Sequence, residues 1–92
     1  VKLTFDPVKR DFTFDERGLA FEDAALVFEG QTLNMVDDRF DYKEERIITV
    51  GYLVGRMVIV VWTQCGDGRH VISMRKANES EEKRFAQRLG ES

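Results

Sequence analysis

Apolar residues recur along the chain first at strand-like and helix-like spacings and later in nearly unbroken strand-length runs. Lys2-Leu3-Thr4-Phe5 alternates polar and apolar and reads as a short strand. Asp6-Pro7 marks a helix start, because Asp accepts from orphan N–H groups and proline is tolerated in the first turn. Val8 and Phe12 lie one helical turn apart, Thr13 and Phe14 interrupt that face, and Gly18 supplies a stop. Phe21, Ala24, Ala25 and Phe28 then follow the i, i+3, i+4, i+7 spacing of an amphipathic helix, which Gly30 closes. Phe5, Phe12, Phe21 and Phe28 are read as core packing.

From Leu33 the pattern changes to strands. Leu33–Val36 is short and is followed by the acidic, turn-rich connection DDRFDYKEE. Ile47–Leu53 leads through Val54-Gly55 into Arg56–Thr63, a hairpin signal, and Cys65-Gly66-Asp67-Gly68 turns the chain into Arg69–Lys76. Met57–Trp62 is apolar at every position, as in a central strand covered on both faces. Asn78 caps a last helix, and Glu81 three residues on completes a capping box. The order predicts an α+β fold: an antiparallel meander of about four to five strands, N-terminal helices and a C-terminal helix. With helices on one side only, about half of the Met57–Trp62 side chains face water unless a partner covers them.

Composition narrows the function classes. The 92 residues suit one domain, 1–92, and 42% hydrophobic with 34% charged residues indicates a folded, soluble chain. No charged-then-apolar leader opens the sequence, and no apolar run approaches the roughly 20 residues needed to span a bilayer. Cys65 is the only cysteine, which excludes an internal disulfide and fits a cytoplasmic protein; His70 is the only histidine, so no Cys/His zinc site can be assembled. Net charge is −3, but unevenly spread: seven Lys/Arg against twelve Asp/Glu up to Gly55, seven against five from Arg56 onward. Such a chain can hold a local anion site without a basic surface.

Several chemistries are absent. No P-loop, nucleophile elbow or Ser/His/Asp set is present, and Asp37, Asp38, Asp41, Glu44 and Glu45 lack the spacing of an EF-hand loop and read as a solvated acidic connection. What remains is arginine: Arg46 and Arg56 at two strand starts, Arg69 and Arg75 at the ends of a third strand. Strand alternation predicts Arg69, Val71, Ser73 and Arg75 on one face and His70, Ile72, Met74 and Lys76 on the other. Antiparallel pairing brings Arg56 toward Arg75. Two guanidiniums there need an anion between them, either the carboxylate of Glu44 or Glu45 in a surface ion pair, or a phosphate.

Four blocks in order, FDPVKR from Phe5, ERGLAFEDAALVF from Glu16, EERIITVG from Glu44 and VISMRKANESEEKRF from Val71, resemble the BrnT family of type II toxin–antitoxin toxins. The resemblance implies a fold related to RelE-type toxins and a ribonuclease that inhibits translation. It also implies neutralisation by a BrnA-type ribbon-helix-helix antitoxin, which carries the contact with operator DNA. Arg46, Arg75 and Glu81 match the family's blocks. Two positions depart: Glu16-Arg17-Gly18 stands where the family has Lys-His-Gly, and Phe85 where it has an aromatic hydroxyl.

Together the arginines and the resemblance point to RNA cleavage without metal or cofactor, in which the substrate's 2′-OH attacks the adjacent phosphate. Arg46 and Arg75 are then the first candidates for clamping the phosphate, with Arg56, Arg69 and Lys76 as further RNA contacts. Glu45 or His70 is left to accept the proton, although His70 also reads as an ordinary strand residue. An antitoxin-binding co-repressor with reduced or no nuclease activity is the alternative. An antitoxin segment is expected over the uncovered sheet face.

Overall fold

The apolar run Met57–Trp62 lies in the middle of the sheet. The computed structural model describes residues 2–39 and 43–90. Along the chain come β1 (Leu3–Phe5), α1 (Pro7–Arg17), a 3₁₀ turn (Phe21–Asp23), α2 (Ala24–Glu29), β2 (Leu33–Asp37), β3 (Arg46–Leu53), β4 (Arg56–Cys65), β5 (Gly68–Lys76) and α3 (Glu79–Arg88). In space the strands run β1-β5-β4-β3-β2. The α+β class is as expected, and β2 to β5 pair antiparallel in succession. The sheet as a whole is mixed, because β1 lies parallel to β5. A three-residue strand carries no turn that marks its partner, and α1 to β4 intervene before β5, so local pattern does not encode this pairing.

One irregularity governs the faces of β5. Val61 pairs with Ser73 and Trp62 with Val71, leaving Ile72 without an opposite residue. Such a bulge resets the alternation. Val71 and Met74, three apart, consequently enter the same hydrophobic cluster as Val58, Val60 and Trp62. Arg69 falls on that face with Val71, whereas His70, Ser73 and Arg75 share the other. The expected grouping of Arg69 with Arg75 is overturned for this reason.

The N-terminal helices cover one face. Asp6 accepts from Val8 N at 2.9 Å, Pro7 opens α1, and Gly18 ends it in the left-handed region at φ 68°. Leu19, Phe21, Ala24 and Val27 pack on Val58, Val60 and Trp62. Close approach of α2 explains Gly51, where a Cβ would sit 2.8 Å from Val27 Cγ1. Phe5 and Phe21 meet edge-to-face at 5.9 Å, but Phe12 is 60% exposed and is not core, contrary to expectation. Beyond β1 the outer edge of β5 is capped by a side chain: Arg17 donates to the Met74 carbonyl at 2.9 Å.

The opposite face is not bare. α3 packs there, placing Phe85 and Leu89 against Val50, Met57 and Ile59. Asn78 accepts from Glu81 N, and the Glu81 side chain accepts from Asn78 N, so the expected capping box forms. α3 covers only part of that face. Across it, residues align in rows: Leu33–Val50–Ile59–Arg75, then Met35–Ile48–Val61–Ser73, then Asp37–Arg46–Thr63–His70. The helix lies over the first row and leaves the second accessible.

At the β3–β4 turn Val54 adopts φ 49° and Gly55 φ 76°, with Val54 95% exposed. A β-branched residue is strained in this region and gains nothing from burial here. Val54→Asn, the residue such turns favour, is expected to stabilise the fold by about 1 kcal/mol. Urea denaturation checks this; an unchanged or lowered midpoint would show that the turn carries no strain.

Candidate anion cleft

The accessible second row forms the floor of a cleft of about 320 Å³. Met35, Ile48, Val61 and Ser73 come from four strands, Ile59 and Arg75 from the row beneath α3, and Glu81, Arg84 and Phe85 from α3 itself. Arg39, just after β2, closes the remaining side. Among the described residues, three guanidiniums and one carboxylate therefore line an otherwise mainly apolar recess. The bulge at Ile72 is what turns Arg75 and Ser73 into it.

Each wall arginine is held by named groups. Arg75 donates Nη1 to Glu81 Oε1 and Nη2 to Glu81 Oε2, both at 2.8 Å, a bidentate pair. Glu81 is simultaneously fixed by the capping box, so strand end and helix start are locked together. The Arg75 guanidinium, with smaller help from Asn78 N–H and the Arg75 and Arg84 charges, holds the Glu81 carboxyl down to about 2. Glu81 is thus ionised at neutral pH and a poor proton acceptor. Arg39 donates Nε to Asp37 Oδ1 at 2.8 Å and Nη2 to Asp37 Oδ2 at 2.9 Å. That bond, more than any other cause, keeps the buried Asp37 carboxyl below the usual range, and the nearby Arg46 charge adds to it. Arg84 lies over the Phe85 ring at 4.6 Å.

The sequence candidates are distributed unequally. Arg75 lines the cleft. Arg46 is on the same face, one row beyond the floor and opposite Asp37, about 7 Å along the strand from Ile48. His70 lies in Arg46's row at the far strand, with Nδ1 2.8 Å from Thr4 Oγ1. Glu45 is exposed and outside the lining; its backbone carbonyl accepts from Thr63 Oγ1. Arg56 pairs with Leu53, and by alternation points to the opposite face from Arg75, so the expected Arg56–Arg75 approach is absent. Lys76 opposes Val58 and also lies on that opposite face. Arg69 is there too, against Phe28 and Trp62.

Arg39 and Arg84 were not among the candidates. Arg39 sits in a stretch that reads as a solvated acidic connection, yet Asp37 is buried and serves as its anchor. Asp38, Glu44 and Glu45 are exposed as expected, and Asp41 lies outside the described residues. Arg84 reads as a charge complementing the helix dipole; only the placement of α3 reveals it as a wall. Glu81 matches a family block, and its signal was the capping box. Phe85 is buried in the cleft wall, so no aromatic hydroxyl enters there. Among the described residues no three His, Cys, Asp or Glu side chains are grouped to hold a metal ion, and no helix is long and apolar enough to cross a membrane.

Because folding lowers the Glu81 pKa from its ordinary 4.5, its ion pair stabilises the fold fully above about pH 4.5, and that contribution is lost as pH falls toward 2. Arg75 is 44% exposed, which weakens the pair by solvent screening. Glu81→Gln, which keeps an acceptor oxygen for the cap, should cost about 1 kcal/mol at pH 7. The gap from wild type should close on acidification through that window. Urea midpoints measured across it provide the check; a gap independent of pH would show that the pair contributes nothing.

No curated protein matches the chain. Residues 5–81 match the family described as Ribonuclease toxin, BrnT, of type II toxin-antitoxin system. The matched span runs from Phe5, the last residue of β1, to Glu81 and so includes β2 to β5 and the Arg75–Glu81 pair. The chain belongs to the BrnT family of type II toxin–antitoxin ribonuclease toxins.

Proposed function

We propose that the cleft between the sheet and α3 is the site at which this chain cleaves RNA, without metal or cofactor, to inhibit translation. The convergence of Arg39, Arg75 and Arg84 on one recess carries this reading. Attack of the substrate's 2′-OH gathers charge on the phosphoryl oxygens, and cations fixed in advance by Asp37 and Glu81 meet that charge without reorganising. The apolar floor limits water around the phosphate and strengthens each contact. Arg46, one row away, receives the neighbouring phosphate of a strand that leaves the cleft along the sheet. The scheme assigns no contact with the scissile phosphate to Arg56, Arg69 or Lys76, which lie outside the lining, nor proton transfer to Glu45.

The fold is read as RelE-like, with α3 carrying part of the active site. The partner is a BrnA-type ribbon-helix-helix antitoxin, through which the complex reaches operator DNA, and the pair acts in the cytoplasm. Because α3 already covers part of the open sheet face, the part left for an antitoxin segment on that face is the cleft.

A second reading is favoured by one observation: among the described residues the cleft lining contains no histidine and no aromatic hydroxyl, and its carboxylate is held ionised by Arg75. None of these described lining groups is suited to general base work near pH 7. On that reading the chain is a weakened or inactive toxin that serves as an antitoxin-binding co-repressor. Growth arrest by the chain expressed alone supports the nuclease and excludes the second reading.

For the nuclease, Arg75→Ala should slow cleavage of a labelled RNA by about 10²–10³-fold under single-turnover conditions. Arg75→Lys should recover little, because an ammonium does not reproduce the two-pronged contact. Arg39→Ala and Arg84→Ala should act in the same direction. Undiminished cleavage by a folded Arg75→Ala protein would remove the cleft from the reaction.

A further inference from the structure

Arg69, like Arg56, is a strand arginine outside the cleft. The bulge at Ile72 puts it on the α1–α2 face, where its guanidinium carbon lies 4.3 Å from the Phe28 ring centre and 4.5 Å from the Trp62 ring centre. The two rings are nearly perpendicular, at 74°, with centroids 5.7 Å apart, so the guanidinium sits in the corner between them. Among the described residues no carboxylate or carbonyl accepts a hydrogen bond from it. Arg69 also lines a recess of about 120 Å³ together with Ala25, Phe28 and Glu29.

We propose that this recess receives a carboxylate side chain from a protein partner, with the Arg69 fork as its anchor and the antitoxin implied by the family as the protein. With the rings nearly perpendicular, the planar guanidinium can face only one of them, and an N–H edge turned toward the recess is what a carboxylate would match with two parallel hydrogen bonds. The volume is well below the roughly 300 Å³ at which small-molecule pockets begin, and suits one side chain. The surroundings disfavour RNA. Residues 6–30 carry seven Asp/Glu against three Lys/Arg, a balance of −4, and Glu29 stands in the recess wall. A phosphodiester chain would be repelled there, whereas a mainly basic protein surface presenting one acidic residue would complement it. This site lies on the opposite face of the sheet from the cleft and does not depend on the cleft's chemistry.

Trp62 is the only tryptophan, so its fluorescence reports the corner directly. The probes are N-acetyl-glutamate N-methylamide and its uncharged glutamine counterpart, added to the intact chain at matched ionic strength. The glutamate compound should change Trp62 emission saturably in the millimolar range, and the glutamine compound at least tenfold less. Arg69→Gln should abolish the difference, and Arg69→Lys should restore only part of it; circular dichroism confirms that both variants are folded. Equal responses to the two compounds, or an undiminished response in Arg69→Gln, would overturn the site. A stronger saturable response to a short RNA, abolished by Arg69→Gln, would assign it to nucleic acid and overturn the proposal. Self-association of the wild-type chain that Arg69→Gln removes would assign the carboxylate to a second copy, against an antitoxin.

Discussion

A single extra residue in β5 decides which cations can act together. With Ile72 bulged out, Val71 and Met74 both reach the core beneath α1 and α2, while Ser73 and Arg75 turn to the α3 side. In a regular strand Arg69 and Arg75 would share a face. The bulge thus gives one sheet two chemically distinct faces, an arginine cleft under α3 and a lone stacked arginine beside α2.

Ion pairs brace the cleft at both ends. Glu81 belongs to the helix cap and the arginine pair at once, so the geometry that starts α3 also aims Arg75. Asp37, buried beneath Arg39 and opposite Arg46, does the same at the other end. Carboxylates here act as braces for cations. They lower the net charge of the site while fixing the directions in which its donors point, and that fits a reaction in which the substrate supplies the nucleophile.

Much of the fold was legible. The Met57–Trp62 run marks the central strand, the Asn78–Glu81 spacing marks the start of α3, and Gly18 marks the end of α1. Of the candidate site, Arg75 and the family's Glu81 were visible, and Arg46 lies one row beyond the cleft floor. The remainder depended on information that no local pattern holds. Alternation counts cannot reveal a bulge, since Ile72 is as good a strand residue as its neighbours. Arg39 was hidden because a buried Asp37 in an acidic stretch looks like any solvated Asp. Arg84 was hidden because its charge already had a role in the helix. Phe12, at helical spacing from Val8, pointed outward because the packed side of α1 is the one carrying Thr13.

Arginines from a strand, a loop and a helix line one recess, which we read as a shared anion site. Titration of an uncleavable 2′-O-methyl RNA oligonucleotide, followed through the arginine Nε–Hε signals, tests it most directly. Arg39, Arg75 and Arg84 should shift together along a single binding curve while Arg56 and Arg69 stay in place. Movement of Arg56 or Arg69 with those three unmoved would place RNA on the other face and contradict the account.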